Sequence, residues 1–175
     1  MTASDRTVLV DASVFITLAD TGGADLLAGL QGSVVVPDLV RQEVTSDPAA
    51  KTLSDAIADG WVTCPQSVSD TAVEEAASHL GRSNEELRGD AVLLAHALVA
   101  AAPVVITDDK PLRQTCKALS IPVSGSIGVL VRAVERGDID PADATDTLYA
   151  MDEVGARFSA SLVRRAERLI DDAAD

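Results

Sequence analysis

Two stretches dominate what this chain can fold into. TVLVDA (7–12) and PVVITDD (103–109) are runs of β-branched and aliphatic residues that end abruptly in carboxylates. A run that is apolar at every position has no face to offer water, so it suits a strand of a parallel sheet covered on both sides. SVVVP (33–37) is a third such run, stopped by Pro37. GWVTC (60–64) is a shorter one suited to an edge, and IPVSG (121–125) is a short last strand. Helical spacing fills the gaps, at about 13–20, 24–30, 38–46, 49–58, 70–79, 90–101, 110–119 and 126–136, with Gly137 placed to cap the last. This alternation predicts an α/β fold, a three-layer α/β/α sandwich around a mostly parallel central sheet. Helix 90–101 (DAVLLAHALVAA) is almost wholly apolar and should be buried against that sheet. Further helices at about 141–151 and 159–172 should pack on the same domain. The reading is therefore a core domain over residues 1–137 with a helical extension over 138–175.

Composition narrows the setting. At 175 residues the chain is one ordinary domain, and with 2% aromatic residues its core must be aliphatic. No apolar run is long enough to span a bilayer and no secretory leader is visible, which predicts a cytoplasmic protein without a membrane partner. There are 28 acidic residues against 14 basic ones, a formal charge of -14. Asp occurs 20 times, Glu 8 times and Lys only three. An Asp-rich, Lys-poor surface is the composition of a halophilic protein, and it predicts a halophilic archaeal source. At low salt such a charge repels nucleic acid. At molar salt the Debye length is about 3 Å, so the charge does not exclude a nucleic-acid substrate. Cys64 and Cys116 sit in no CxxC or Cys/His cluster, which speaks for two buried free thiols rather than a zinc site.

Acids are everywhere in this chain, so position is what matters. Asp11 ends the first strand, and Asp108 and Asp109 end the strand VVIT. Ligands of parallel α/β sheets bind outside the carboxyl ends of the strands. Glu43 follows Leu39 by four and Val40 by three, which places it over the inward-facing stripe of helix 38–46. Asp90 opens the buried helix 90–101. Carboxylates that cluster repel and raise one another's pKa, unless a divalent cation neutralises them. Mg²⁺ and Mn²⁺ prefer such oxygen ligands and support hydrolysis of phosphodiesters. Each acid has a simpler alternative: Asp11 and Asp90 as helix caps, Asp108 or Asp109 as the cap of the helix near Pro111, Glu43 as a half-exposed helix acid. Asp109 could also pair with Arg113.

The same segments resemble a known family. VLVDASVFITLAD, VVVPDLVRQEV, GDAVLLAHAL and VVITDDKPLRQTCKALSIPVSGSIGVLVRAVERG are similar, in that order, to the motifs of the PIN-domain ribonucleases. The last of these and the tail GARFSASLVRRAERLI resemble a prokaryotic subgroup of nucleic-acid-binding PIN proteins, related to the VapC-like toxins. The resemblance implies a PIN fold, Mg²⁺ or Mn²⁺ as cofactor, and single-stranded RNA as substrate. It also implies a toxin role with a small antitoxin protein as partner, and a homodimer. It makes Asp11, Glu43, Asp90 and Asp109 the acidic set, with Asp108 a close competitor for the fourth place. Metal ligands would be Asp11, Asp90 and Asp109 or Asp108. Ser13 and Thr107 would hydrogen-bond a ligand water or a phosphate. From their own positions, Lys110 and Arg113 could touch RNA phosphates or, equally, pair with Asp108 or Asp109. Many relatives carry Glu where this chain has Asp90.

Two other features have less to offer. SGSIG (124–128) could present backbone N–H groups to a phosphate but fits close packing and helix capping better. Arg164, Arg165 and Arg168 on the last helix form an exposed basic face. A binding module that keeps these acids for structure is the rival to a nuclease. An aspartyl-phosphate domain would need a late strand-end Lys, which is missing.

Overall fold

The computed structural model describes residues 6–66, 68–81 and 89–174. Among these residues five strands form one sheet: β1 (Thr7–Val10), β2 (Ser33–Val35), β3 (Val62–Thr63), β4 (Pro103–Ile106) and β5 (Val123–Ser124). Their order is β3-β2-β1-β4-β5 and every pairing is parallel. Burial follows from the runs. Val8, Leu9 and Val10 are all buried, as are Val34, Val35 and Val36. Successive side chains of a strand point to opposite faces, so both faces of the sheet are covered.

The strands are shorter than the apolar runs that encode them. β1 stops at Val10 and β4 at Ile106, and the acids beyond them already belong to turns into helices. From the centre the chain runs outward both ways, through β2 to β3 on one side and from β4 to β5 on the other. The reversal falls between β1 and β4. That is the topological switch point, where the crevice at the carboxyl ends of the strands is open.

Helices cover the sheet: α1 (Ala12–Asp20), α2 (Asp25–Ala28), α3 (Asp38–Glu43), α4 (Ala49–Ala58), α5 (Asp70–Leu80), α6 (Gly89–Val99), α7 (Lys110–Ala118), α8 (Ser126–Arg136), α9 (Pro141–Met151) and α10 (Ala160–Asp172). α6 is the apolar one. Ala91, Leu93, Leu94 and Ala95 are fully buried, and the helix lies on β1 and β4 with α3, α5 and α7 around it. Gly137 caps α8 in the left-handed conformation, at φ 75°.

The helical boundary that departs furthest from the sequence expectation is that of α3. α3 ends at Glu43, not at 46. Val44 leaves the helical region at φ -85° and ψ 85° and turns into the core, where it is 6% exposed. Glu43 is consequently the last residue of its helix and is exposed, instead of lying on an inward stripe. After α9 the chain kinks over Asp152–Ala156, where Gly155 leaves the helical region at φ 113° and Arg157 follows at φ 53°. This redirects the chain so that α10 folds back on α8 and α9. Leu148, Met151, Ala166 and Ile170 join the same buried cluster as the sheet residues. No helix among the described residues is long and apolar enough to cross a membrane.

Candidate functional site

The register of the two central strands builds the site. Val10 lies beside Ile106, so the next residues, Asp11 and Thr107, meet at the strand ends. The Asp11 N–H donates to the Ile106 carbonyl at 2.9 Å and fixes this junction. Asp11 is 6% exposed and Thr107 is fully buried. The Asp11 side chain makes no capping hydrogen bond to α1, so it is not there to cap that helix. It accepts hydrogen bonds instead: from the Thr107 hydroxyl at 2.8 Å and from the Ser13 hydroxyl at 2.9 Å, both at Oδ2.

Electrostatically Asp11 is under strain. Burial pushes its carboxyl above the ordinary carboxylate value; the Thr107 and Ser13 hydroxyls and the Ala12 backbone pull it down; the charge of Asp109 pushes it up again. Among the described residues, no Lys or Arg lies within ion-pair distance of it. A buried acid with a second acid beside it and no protein cation is a place where a divalent ion would relieve both costs.

The two acids of the TDD segment have different jobs. Asp109 is the N-cap of α7, its Oδ1 accepting the Leu112 N–H at 2.8 Å, and its charge reaches Asp11. Asp108 turns to the other side. It accepts the Ser126 N–H at 3.0 Å and the Ser126 hydroxyl at 2.6 Å, which ties β4 to the start of α8. Gly125 makes room for this, since a Cβ there would stand 2.3 Å from Asp108 Oδ1. The Gly-rich start of α8 therefore already holds an anion, and that anion is Asp108 rather than a phosphate.

Arg113 does not pair with Asp109. Its Nη1 donates to the Thr107 carbonyl at 2.8 Å, at the rim of the strand-end crevice. Lys110 is exposed at the first position of α7. The Ser13 and Thr107 hydroxyls, expected to face a ligand, both face Asp11.

Glu43 and Asp90 both lie at the start of α6. The Glu43 carboxylate reaches across from α3 and accepts the Gly89 N–H at 2.8 Å, at the N-terminus of α6. An anion there is favoured by the helix dipole and by the unpaired first N–H groups. Asp90 follows in the first turn of α6, half-buried. Gly89 has no side chain because the carboxylate occupies that space: a Cβ would lie 2.7 Å from Glu43 Oε2. The roles of Gly89 and Ser126 escape sequence reasoning, although a glycine just before a helix acid and a serine at a helix start are the signals that mark them.

Among the described residues no three Asp, Glu, His or Cys side chains stand close enough together to hold a metal ion. The acids come as an Asp11–Asp109 pair and a Glu43–α6 junction, with Asp108 engaged elsewhere. The donor chemistry still suits Mg²⁺ or Mn²⁺, which take oxygen ligands, and Mg²⁺ often uses only one or two protein carboxylates with several waters. Neither cysteine belongs to the site: Cys116 is buried, with its thiol pushed up to about 11 by burial, and Cys64 is only partly buried. His96 on α6 has a buried Nε2 with no hydrogen-bond partner among the described residues, and burial lowers its pKa.

A parallel α/β sheet with an acidic pair at its switch point defines a class of strand-end ligand sites. The chain belongs to the PIN-domain family, for the family model DUF3368, a PIN domain, matches residues 7–172. That match runs from β1 to the last turn of α10, so the C-terminal helices are part of the family's fold. No curated protein matches the chain. The PIN family includes nucleases.

Proposed function

We propose that this protein is a metal-dependent endoribonuclease that hydrolyses phosphodiesters of single-stranded RNA. The observation that carries the reading is Asp11: a buried carboxylate at the switch point, its pKa raised by burial and by Asp109, with no cation among the described residues to offset it. Asp11 and Asp109 would hold Mg²⁺ or Mn²⁺, which supplies an activated water and stabilises charge on the phosphate. Ser13 and Thr107 orient the Asp11 carboxylate by donating to Oδ2. Glu43 and Asp90, at the head of α6, would bind through water or orient the nucleophile. Arg113 and Lys110 would take RNA phosphates from the α7 side. A toxin role with a small antitoxin protein, acting as a homodimer, is a narrower form of the same proposal.

A second reading has an observation in its favour. The lack of a three-carboxylate cluster among the described residues suits a PIN-fold module that binds RNA or protein without cutting it. The two readings separate in one assay. The purified chain in high KCl is given Mn²⁺ or Mg²⁺ and labelled single-stranded RNA, with Asp11→Asn as control. The nuclease reading expects cleavage by the wild type and none by the variant. Binding without cleavage supports the module, and equal cleavage by both chains removes Asp11 from the chemistry.

A further inference from the structure

We infer that Thr107 is a positioning residue whose hydroxyl holds the Asp11 carboxylate and the backbone of Asp109 in place, and that it makes no contact with substrate. The inference rests on the nuclease reading above and gives that site its internal support. A threonine hydroxyl has one hydrogen to donate. Here that hydrogen goes to Asp11 Oδ2 at 2.8 Å. Thr107 Oγ1 in turn accepts the N–H of Asp109 at 3.1 Å. One atom thus touches the Asp11 carboxylate and the backbone that aims Asp109. Nothing remains for donation to a phosphate, and the residue is fully buried.

The rest of Thr107 is committed as well. Its N–H donates to the Ser124 carbonyl at 2.9 Å and its carbonyl accepts Arg113 Nη1 at 2.8 Å. β1, β5, the start of α7 and Arg113 therefore share this single residue. β-branching restricts its rotamers and helps keep the hydroxyl aimed at Asp11. Valine copies the shape and burial of threonine but removes the hydroxyl. Asp11 would then keep Ser13 as its only hydroxyl donor, and the Asp109 N–H would lose its partner.

The test compares wild type, Thr107→Val, Thr107→Ser and Thr107→Ala, with Thr147→Val as control. The Thr147 hydroxyl only donates to the Asp143 carbonyl on the exposed face of α9. Mn²⁺ affinity is measured by calorimetry, and kcat and KM on labelled single-stranded RNA. Circular dichroism and thermal melts confirm that each chain is folded. Groups that orient metal ligands are worth about 10–100-fold in metal affinity or activity. We expect Thr107→Val and Thr107→Ala to lose at least about tenfold in kcat and in Mn²⁺ affinity with KM nearly unchanged. Thr107→Ser should recover most of the loss, and Thr147→Val should match wild type. A Thr107→Val chain within about twofold of wild type in both measurements overturns the inference. So does a rise in KM at constant kcat, which would place Thr107 on the RNA, or a serine variant no better than valine. If the wild type binds Mn²⁺ but does not cut RNA, the nuclease reading fails while the Mn²⁺ affinities still decide the role of Thr107. A wild type that binds no Mn²⁺ ends both.

Discussion

Asp108 and Asp109 are adjacent carboxylates that sequence treats as interchangeable, and the structure gives them separable consequences. Asp108→Ala removes two hydrogen bonds at the start of α8, from the Ser126 N–H at 3.0 Å and the Ser126 hydroxyl at 2.6 Å. Loss of such a cap costs about 1–2 kcal/mol, softened here because Asp108 is exposed. For a domain of this size that lowers Tm by roughly 2–8 °C. Asp108→Asn keeps an acceptor for the Ser126 N–H and should lose less. In neither variant should Mn²⁺ affinity change, because the side chain faces α8. Asp109→Asn behaves in the opposite way. Asparagine is as good an N-cap as aspartate, so α7 keeps its Leu112 bond and Tm holds within about 1 °C. Mn²⁺ affinity falls by about tenfold or more, through loss of one of two charges. Thermal melts and calorimetric Mn²⁺ titrations of the three variants, with Asp38→Asn, whose half-buried carboxylate pairs with Arg41, as a reference for Mn²⁺ affinity, make the comparison. If Asp108→Asn weakens Mn²⁺ as much as Asp109→Asn does, the assignment of the two acids is wrong.

Other outcomes follow from the same geometry. Asp11 has a folded pKa above the ordinary value of 3.8, so its neutral form is the one the fold favours. Stability without metal is therefore highest below that value and falls as pH rises through the folded pKa. Urea unfolding across pH should show this fall in wild type and a flatter profile in Asp11→Asn; identical profiles would refute it. Gly89→Ala adds a methyl group against the Glu43 carboxylate, which a Cβ would approach to 2.7 Å. Alanine is at home in a helix, so Tm should stay within roughly 4 °C while RNA cleavage falls by about tenfold. Unchanged cleavage would show that the Glu43–α6 junction is not needed. The formal charge of -14 destabilises the fold through self-repulsion at low salt. Relief of about 2 kcal/mol between 0.1 M and 2 M KCl would raise Tm by roughly 4–8 °C, and a Tm that falls with KCl would contradict this.

The architecture was legible because its signals are local. β1 and β4 are continuous apolar runs, and their ends in Asp11 and Thr107 put the crevice where a parallel sheet keeps it. α6 reads as buried because nearly every residue in it is apolar. Signals that depend on three-dimensional neighbours were not legible. The spacing of Glu43 continues the stripe of Leu39 and Val40, but Val44 leaves the helix for the core and Glu43 ends up exposed, on the Gly89 N–H. Asp108 and Asp109 differ only in which helix each one faces, and that depends on where α8 returns to the sheet. The hydroxyls of Ser13 and Thr107 look like substrate contacts in a motif. Only the register of β1 and β4 shows that both protons go to Asp11.

Whether the strand-end acids grip a divalent ion is settled most directly by Mn²⁺ titration followed by electron paramagnetic resonance, on the wild type and on Asp11→Asn. The wild type should deplete the free Mn²⁺ signal at a defined stoichiometry, and the variant should bind at least about tenfold more weakly. Equal binding by the two chains, or none by the wild type, would contradict the account.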